Sequence, residues 1–355
     1  MHSDDSGTAV AAALARVAGG ADLTAEQAAS AMAELMAGGV ADETTAQFLV
    51  ALRAKGETRD EVRGFLTAMR AAGRRVEVPG PVADVVGTGG DGHHSVNIST
   101  MAAVALAATG VPVAKHGNRA ATSLCGAADV LAELGVAIDL GPEQVGECLR
   151  QVGIGFCLAP VFHPAMRHVA AVRRGLGHPT VFNLLGPLAN PAGAAAMLVG
   201  VADATRAELV ADVLADAGVR AAVVCAQDGM DEVSTVVPTT VWAGGSSAVI
   251  DPAALGVAPA HAQDLAGGDA QHNAEVFRRV LDPGSGAQWS AVRDCVVLNA
   301  ATARAVWSGA GSAAQVVQAV PEQMLVIREA IDSGSAQGLL GRWIEASRAL
   351  AAAGA

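Results

Sequence analysis

The sequence predicts an α/β fold: a small N-terminal all-helical domain over residues 1–80, then over 81–355 a larger domain with a mostly parallel central sheet flanked by helices. Three observations carry this reading. Apolar residues in 8–72 recur at helical spacing. The run Arg74-Arg75-Val76-Glu77-Val78-Pro79-Gly80-Pro81 then ends helix formation, because proline lacks the N–H a helix needs and clashes with the turn before it. Beyond it, short β-branched and apolar runs alternate with helical stretches, the pattern of βαβ units. At 355 residues the chain has room for two domains of roughly 100–200 residues each.

Within the helical domain, a pair of segments open with capping boxes, Thr24 with Gln27 and Thr58 with Glu61. In such a box the first side chain accepts from a backbone N–H three residues on, and the later side chain reaches back to the first N–H. Past the boundary near residue 80, Ala83-Asp84-Val85-Val86 reads as a strand, a glycine loop follows, and 101–108 reads as a helix stopped at Thr109-Gly110. Residues 111–114 read as a second strand and Ala127–Leu134 as a helix closed by Gly135. The later apolar runs 196–201, 221–225 and 296–298 read as further strands, alternating with helices such as 206–217, which stops at Gly218. There is no internal repeat at a solenoid period.

Composition removes several function classes. Hydrophobic residues are 52% of the chain, but charges interrupt them and no run of about 18 apolar residues occurs, so no membrane span is expected. Met1 to Gly7 are polar and acidic, without the basic start and apolar block of a secretory signal, which predicts a cytoplasmic protein. Cys125, Cys148, Cys157, Cys225 and Cys295 are widely spaced with no CxxC pair, so they read as reduced thiols rather than a zinc or disulfide framework. A net charge of −12 disfavours a nucleic-acid partner, whose phosphates demand a basic face.

Gly87-Thr88-Gly89-Gly90-Asp91-Gly92 stands at the carboxyl end of the first strand, where open α/β sheets bind ligands, and its glycines let backbone N–H groups approach an oxyanion. It matches G-x-G-x-x-G through Gly87, Gly89 and Gly92, yet the dinucleotide fold opens its helix within the glycines and carries an acidic residue about 20 positions on. Here helical composition begins near Ser99 and the second strand runs into Lys115. A P-loop fails too, since His93-His94 occupies the place of Lys and Ser/Thr. A turn with no ligand remains an alternative for this loop alone. Asn97-Ile98-Ser99-Thr100 opens the next helix, where N–H groups, hydroxyls and the helix dipole can meet a phosphate, although Ser99 could equally be an N-cap. Lys115-His116-Gly117-Asn118-Arg119, then Thr122 and Ser123, follow the second strand on the same sheet edge; point charge, guanidinium fork and hydroxyls suit a substrate with several phosphates, and a solvated loop is the plain alternative.

Taken in order, Gly87-Thr88-Gly89-Gly90-Asp91, Asn97-Ile98-Ser99-Thr100 and Lys115-His116-Gly117-Asn118-Arg119 resemble the signature blocks of the anthranilate phosphoribosyltransferases. The resemblance continues through His163-Pro164-Ala165-Met166-Arg167, Val172-Arg173-Arg174, Phe182-Asn183-Leu184-Leu185-Gly186-Pro187-Leu188, Asp228-Gly229-Met230-Asp231-Glu232 and Leu298-Asn299-Ala300-Ala301, nearly the whole chain. It implies the nucleoside phosphorylase and phosphoribosyltransferase type of fold, with the helical domain completed by a segment near 173–191, substrates bound between the domains, and a homodimer formed through the helical domain. It also implies transfer of phosphoribose from phosphoribosyl pyrophosphate to anthranilate in tryptophan synthesis, with Mg²⁺ as cofactor.

Position by position, Gly87, Gly90, Asp91, Ser95, Asn97, Ile98, Ser99, Thr100 and Lys115 match the family's contacts to phosphoribosyl pyrophosphate. His116, Gly117, Asn118, Arg119, Ala120, Ala121, Thr122, Ser123 and Ala127 make up the rest of that site. Gly87, Asn118 and Arg173 match residues that hold anthranilate, with His163 lining the same tunnel. Ser99, Asp231 and Glu232 match the magnesium ligands, an oxygen set suited to that hard cation. The family carries Thr at the position of Ser95 and often Ser at that of Ala127, so one side-chain donor is missing here. His93-His94 replaces a variable pair. A pyrimidine nucleoside phosphorylase, a nucleic-acid-binding relative that has lost the chemistry, and a nicotinamide-dependent dehydrogenase are the competing readings.

Overall fold

Both capping boxes form. Thr24 Oγ1 accepts from the Gln27 N–H at 3.2 Å and Gln27 Oε1 from the Thr24 N–H at 3.0 Å, opening the helix Ala25–Ala37. Thr58 and Glu61 repeat the exchange at the head of Arg59–Ala72. Glu61 is fully buried and still has partners on every side: the Leu23 and Thr58 N–H groups, each at 2.8 Å, and Lys55 Nζ at 2.9 Å. A buried carboxylate is tolerated only when satisfied in this way.

The computed structural model describes residues 8–120 and 124–354. Contacts divide the chain into one unit of Met1–Arg75 with Ala159–Pro191 and a second of Val76–Leu158 with Ala192–Ala355. The first unit is helical, with Thr8–Ala18, Ala25–Ala37, Asp42–Lys55 and Arg59–Ala72 followed later in the chain by Ala159–Phe162, Arg167–Leu176 and Val181–Leu188. Its core holds Phe48 edge-to-face on Phe65 at 6.2 Å, with Met32, Leu35, Leu49 and Leu52; each such side chain contributes about 1.5–3 kcal/mol by leaving water. The two stretches are stitched by backbone acceptors: Phe162 O takes the Arg74 N–H and Leu188 O takes Arg70 Nη2, both at 2.7 Å. The returning stretch begins at Ala159, ahead of 173, and the first stretch ends at Arg75, before the proline-glycine run.

The second unit is built on a seven-stranded sheet: β1 (Ala83–Gly87), β2 (Val113–Gly117), β3 (Ile154–Leu158), β4 (Ala196–Gly200), β5 (Arg220–Ala226), β6 (Thr239–Ala243) and β7 (Ser246–Ile250), in the order β3-β2-β1-β4-β5-β6-β7. Strands β1 to β5 are parallel; β6 and β7 return antiparallel. The chain steps outward from β1 to β2 and β3, then resumes on the other side of β1 with β4 and β5, so the strand order reverses between β1 and β4.

One expected strand is not a strand. Residues 296–298 lie inside the helix Ser290–Trp307, and Val296, Val297 and Leu298 are fully buried. This helix packs against β1, β4, β5 and the helices Ile98–Ala107 and Ala313–Asp332, so it is apolar on most of its circumference. A short apolar run cannot separate a buried helix from a buried strand by periodicity. The helix expected over 101–108 begins three residues earlier, at Ile98. Among the described residues no helix is long and apolar enough to cross a membrane, and all five cysteines are buried thiols outside any disulfide.

Candidate functional site

Gly87 closes β1 and Gly200 closes β4, and the two are partners in register at the point where the strand order reverses. Ligands of open α/β sheets sit in the crevice that forms there, beyond the carboxyl ends of the strands. The acidic loop after β5 lies directly on these glycines. A Cβ on Gly200 would overlap the carbonyl oxygen of Asp231, and one on Gly87 would overlap its carboxylate. The approach therefore requires a residue with no side chain on each strand.

From this seat the acidic pair holds two other segments. Asp231 Oδ2 accepts from the Gly89 N–H at 2.7 Å, while the Asp231 N–H is directed at Asp91 Oδ2 at 3.5 Å. Glu232 Oε1 accepts from the Ser99 N–H at 3.1 Å, in the first turn of Ile98–Ala107. That helix end carries the positive end of the helix dipole, so it favours an anion. Asn97, not Ser99, is the N-cap, and its carbonyl takes the Thr100 and Met101 N–H groups.

The electrostatics are those of a site short of positive charge. Burial, then the nearby Asp91, pushes Asp231 up to about 7. Burial, then Asp231, raises Glu232 well above the usual carboxylate range. Lys115 on β2 is 2% exposed; burial lowers its pKa despite the opposing pull of Asp84, Glu232 and Asp231, and Nζ donates to the His116 carbonyl at 3.0 Å. Two adjacent carboxylates driven toward neutrality form a donor set that a hard divalent cation would relieve. Among the described residues no three His, Cys, Asp or Glu side chains converge as a ready cage. Magnesium is a hard cation that commonly takes one or two carboxylates and completes its shell with water and substrate phosphates, and the Asp231–Glu232 pair supplies oxygen donors of that kind.

The second loop follows Gly117 at the end of β2. Its organiser is Asp129, a residue the sequence reading did not single out. Asp129 accepts from the Ala120 and Gly126 N–H groups at 2.9 Å each and from Arg119 Nη1 at 3.0 Å. Burial would raise its pKa, but these donors outweigh burial and hold it below its ordinary value. Its position three residues after Gly126, at the head of Ala127–Leu134, was the available signal, since an acid there commonly folds back onto a helix start. Asn118 contributes its side-chain oxygen to the Arg119 N–H at 2.8 Å and its carbonyl to the Ala128 N–H at 3.1 Å.

The remaining expected residues are placed as follows. Gly90 is exposed in the glycine loop with a left-handed φ of 79°. Asp91 Oδ1 accepts from the His93 N–H, and Ser95 forms a bridge with Ala266. Ile98 is a core residue, and Thr100 is 1% exposed, its hydroxyl without a partner among the described residues. His116 is buried, with its N–H on the Asp84 carboxylate. Ala127 is half-buried at the start of its helix. Ala121, Thr122 and Ser123 lie outside the described residues. Arg173 and His163 belong to the helical unit: Arg173 lies over the Phe182 ring at 5.1 Å, and buried His163 bonds the Ala189 carbonyl through Nε2 at 3.0 Å.

Residues 79–337 match the glycosyl transferase family a/b domain, and residues 11–73 match the glycosyl transferase family helical bundle domain. Anthranilate phosphoribosyltransferase of Saccharopolyspora erythraea is 50% identical over 341 residues, covering 95% of each chain. The crystal structure of anthranilate phosphoribosyltransferase from Thermus thermophilus superposes with a TM-score of 0.88 at 40% identity, covering 95% of this chain and 99% of that one. The Saccharomyces cerevisiae enzyme in complex with PRPP and Mg gives a TM-score of 0.87 at 26% identity, covering 96% of this chain and 98% of that one. With a helical unit and an α/β unit, a glycine loop and an acidic pair at the sheet's switch point, and identity of this extent along nearly its whole length, the chain belongs to the anthranilate phosphoribosyltransferase family.

Proposed function

We propose that the acidic loop, the glycine loop and the helix start at Asn97 hold 5-phosphoribosyl 1-pyrophosphate. The chain transfers the phosphoribosyl group of that donor to the amine of anthranilate, giving N-(5-phosphoribosyl)anthranilate and pyrophosphate, a step of L-tryptophan biosynthesis. The observation that carries this reading is the seating of Asp231 and Glu232 on Gly87, Gly89 and Ser99 at the switch point of the sheet. The yeast relative's complex with PRPP and Mg supports it.

Asp231, Glu232 and Ser99 are the residues that would hold magnesium, which when bound neutralises charge on the departing pyrophosphate. The rest of the chain's contribution is placement. Gly90 and its neighbours leave the main chain open to phosphate oxygens, and the Thr100 hydroxyl is uncommitted. Asp129 folds the loop carrying Asn118, Arg119 and Ala120. Arg173 supplies a planar fork for the anthranilate carboxylate, with Asn118 and Gly87 as further anthranilate contacts. The aryl amine is neutral at pH 7 and attacks the ribose C1 carbon without a strong base, so the reaction asks for orientation and charge stabilisation rather than a nucleophilic side chain.

The experiment is to follow anthranilate fluorescence with donor, with and without magnesium. Metal-dependent loss is expected; no loss in the presence of metal would redirect the reading to nucleoside phosphorolysis. We also assign a homodimer, from the resemblance, to be checked as twice the chain mass by light scattering. A cytoplasmic location fits five cysteines that form no disulfide.

A further inference from the structure

The glycine loop is braced from far along the chain. The Gly267 N–H donates to the His94 carbonyl at 2.8 Å, the Val96 N–H to the Leu265 carbonyl at 3.0 Å, and Ser95 pairs with Ala266 as an antiparallel bridge. Residues 265–268 thus lie along 94–96 like a short extra strand.

A relay of amides ties this brace to the second loop. The Gly268 N–H donates to Asn273 Oδ1 at 2.8 Å, Asn273 Nδ2 to Asn97 Oδ1 at 2.9 Å, and Asn97 Nδ2 to the Cys125 carbonyl at 3.2 Å. Both ends are backbone groups of fixed character, a donor at Gly268 and an acceptor at Cys125. Each amide between them can therefore face only one way if all three bonds are made. Asn273 is 2% exposed on the helix Ala270–Leu281, so its amide has no water to fall back on.

We propose that Asn273 is a positioning residue for the donor substrate. It fixes the spacing between the start of Ile98–Ala107, to which the function above assigns phosphoribosyl pyrophosphate, and Cys125 at the end of the second loop, to which the family resemblance assigns the same substrate; the inference rests on that reading. With Asn273 truncated, Asn97 Oδ1 keeps, among the described residues, a weak thiol contact from Cys125 at 3.5 Å, and the two loops lose their common reference. The relay does not include the acidic pair or Arg173.

The test is calorimetric titration of phosphoribosyl pyrophosphate with magnesium into wild type, N273A and N273D, with steady-state KM values for both substrates. N273D keeps an acceptor for Gly268 but opposes oxygen to oxygen at Asn97, so it serves if N273A does not fold. In both variants donor affinity is expected to fall about tenfold, the scale of one buried polar partner lost, while the anthranilate KM, touched through Asn118 alone, changes by a smaller factor. A lower melting temperature with donor affinity unchanged would mark Asn273 as merely structural and overturn the proposal. Wild type that binds donor while the variants bind equally well overturns this inference alone; wild type that does not bind donor overturns the functional reading and this inference with it.

Discussion

Gly200 and Asp231 are in contact so close that a side chain on the glycine and the carbonyl of the aspartate cannot occupy the site together. The strand end and the acidic loop are 31 residues apart in number, yet the position of the two carboxylates depends on the absence of one methyl group.

Gly200→Ala is therefore expected to lift the acidic loop. Overpacking of this kind costs about 1–3 kcal/mol, and kcat/KM should fall at least about tenfold. Steady-state kinetics beside a urea melt check both, and wild-type turnover with an unchanged melt would show that the loop relaxes freely.

Asp231→Asn and Glu232→Gln should trade activity for stability. Turnover is expected to fall about a hundredfold or more, since the oxygen donors and their charge are lost. The metal-free protein should melt higher, because a poorly compensated buried charge has gone. The pH dependence follows in sign. Asp231 rises from an ordinary 3.8 to about 7 on folding, so its contribution is fully present below the lower value and is lost as pH rises through the upper one. The gap in melting temperature between D231N and wild type should widen from pH 4 to pH 8 in chelator.

Arg173→Ala is expected to raise the anthranilate KM about ten- to a hundredfold, with a smaller change in the donor KM, the signature of a lost carboxylate fork. Equal changes in both would remove the assignment.

Glu61→Ala addresses the helical unit. It strands the Leu23 and Thr58 N–H groups and takes one carboxylate from Lys55, which keeps Asp22 and the Gly56 carbonyl at 2.7 Å each, and should cost about 1–3 kcal/mol in urea unfolding, the range for buried donors left unsatisfied. A loss under about 1 kcal/mol would show that water replaces the carboxylate.

The helix starts at Thr24 and Thr58 were legible because a capping box is complete within four residues. The strand end at Gly87 was legible because the glycine loop follows an apolar run directly, whereas the second strand, expected over 111–114, runs on through Lys115 and His116 to Gly117 because those polar side chains are buried in the fold. What stayed hidden was decided by partners far along the chain. Residues 296–298 read as a strand because nothing local says that β1, β4 and β5 surround them. Asn273 looks like any polar residue on a helix, and only the fold brings it to Asn97. Asp129 lies between these cases, since its capping position was visible while its grip on Arg119 and Ala120 required the loop to close.

The divided make-up of the helical unit has a consequence for synthesis. Its first stretch ends at Arg75 and its second opens at Ala159 and closes at Pro191, with β1, β2 and β3 made in between. At about 5–20 residues per second, a ribosome finishes that unit roughly six to twenty-three seconds after completing the first stretch. Through that interval the early helices lack the Phe162 and Leu188 carbonyls that Arg74 and Arg70 will use. The nascent chain must therefore carry its amino-terminal bundle as an unfinished piece while the sheet begins to form, and the order of translation becomes integral to how this enzyme assembles.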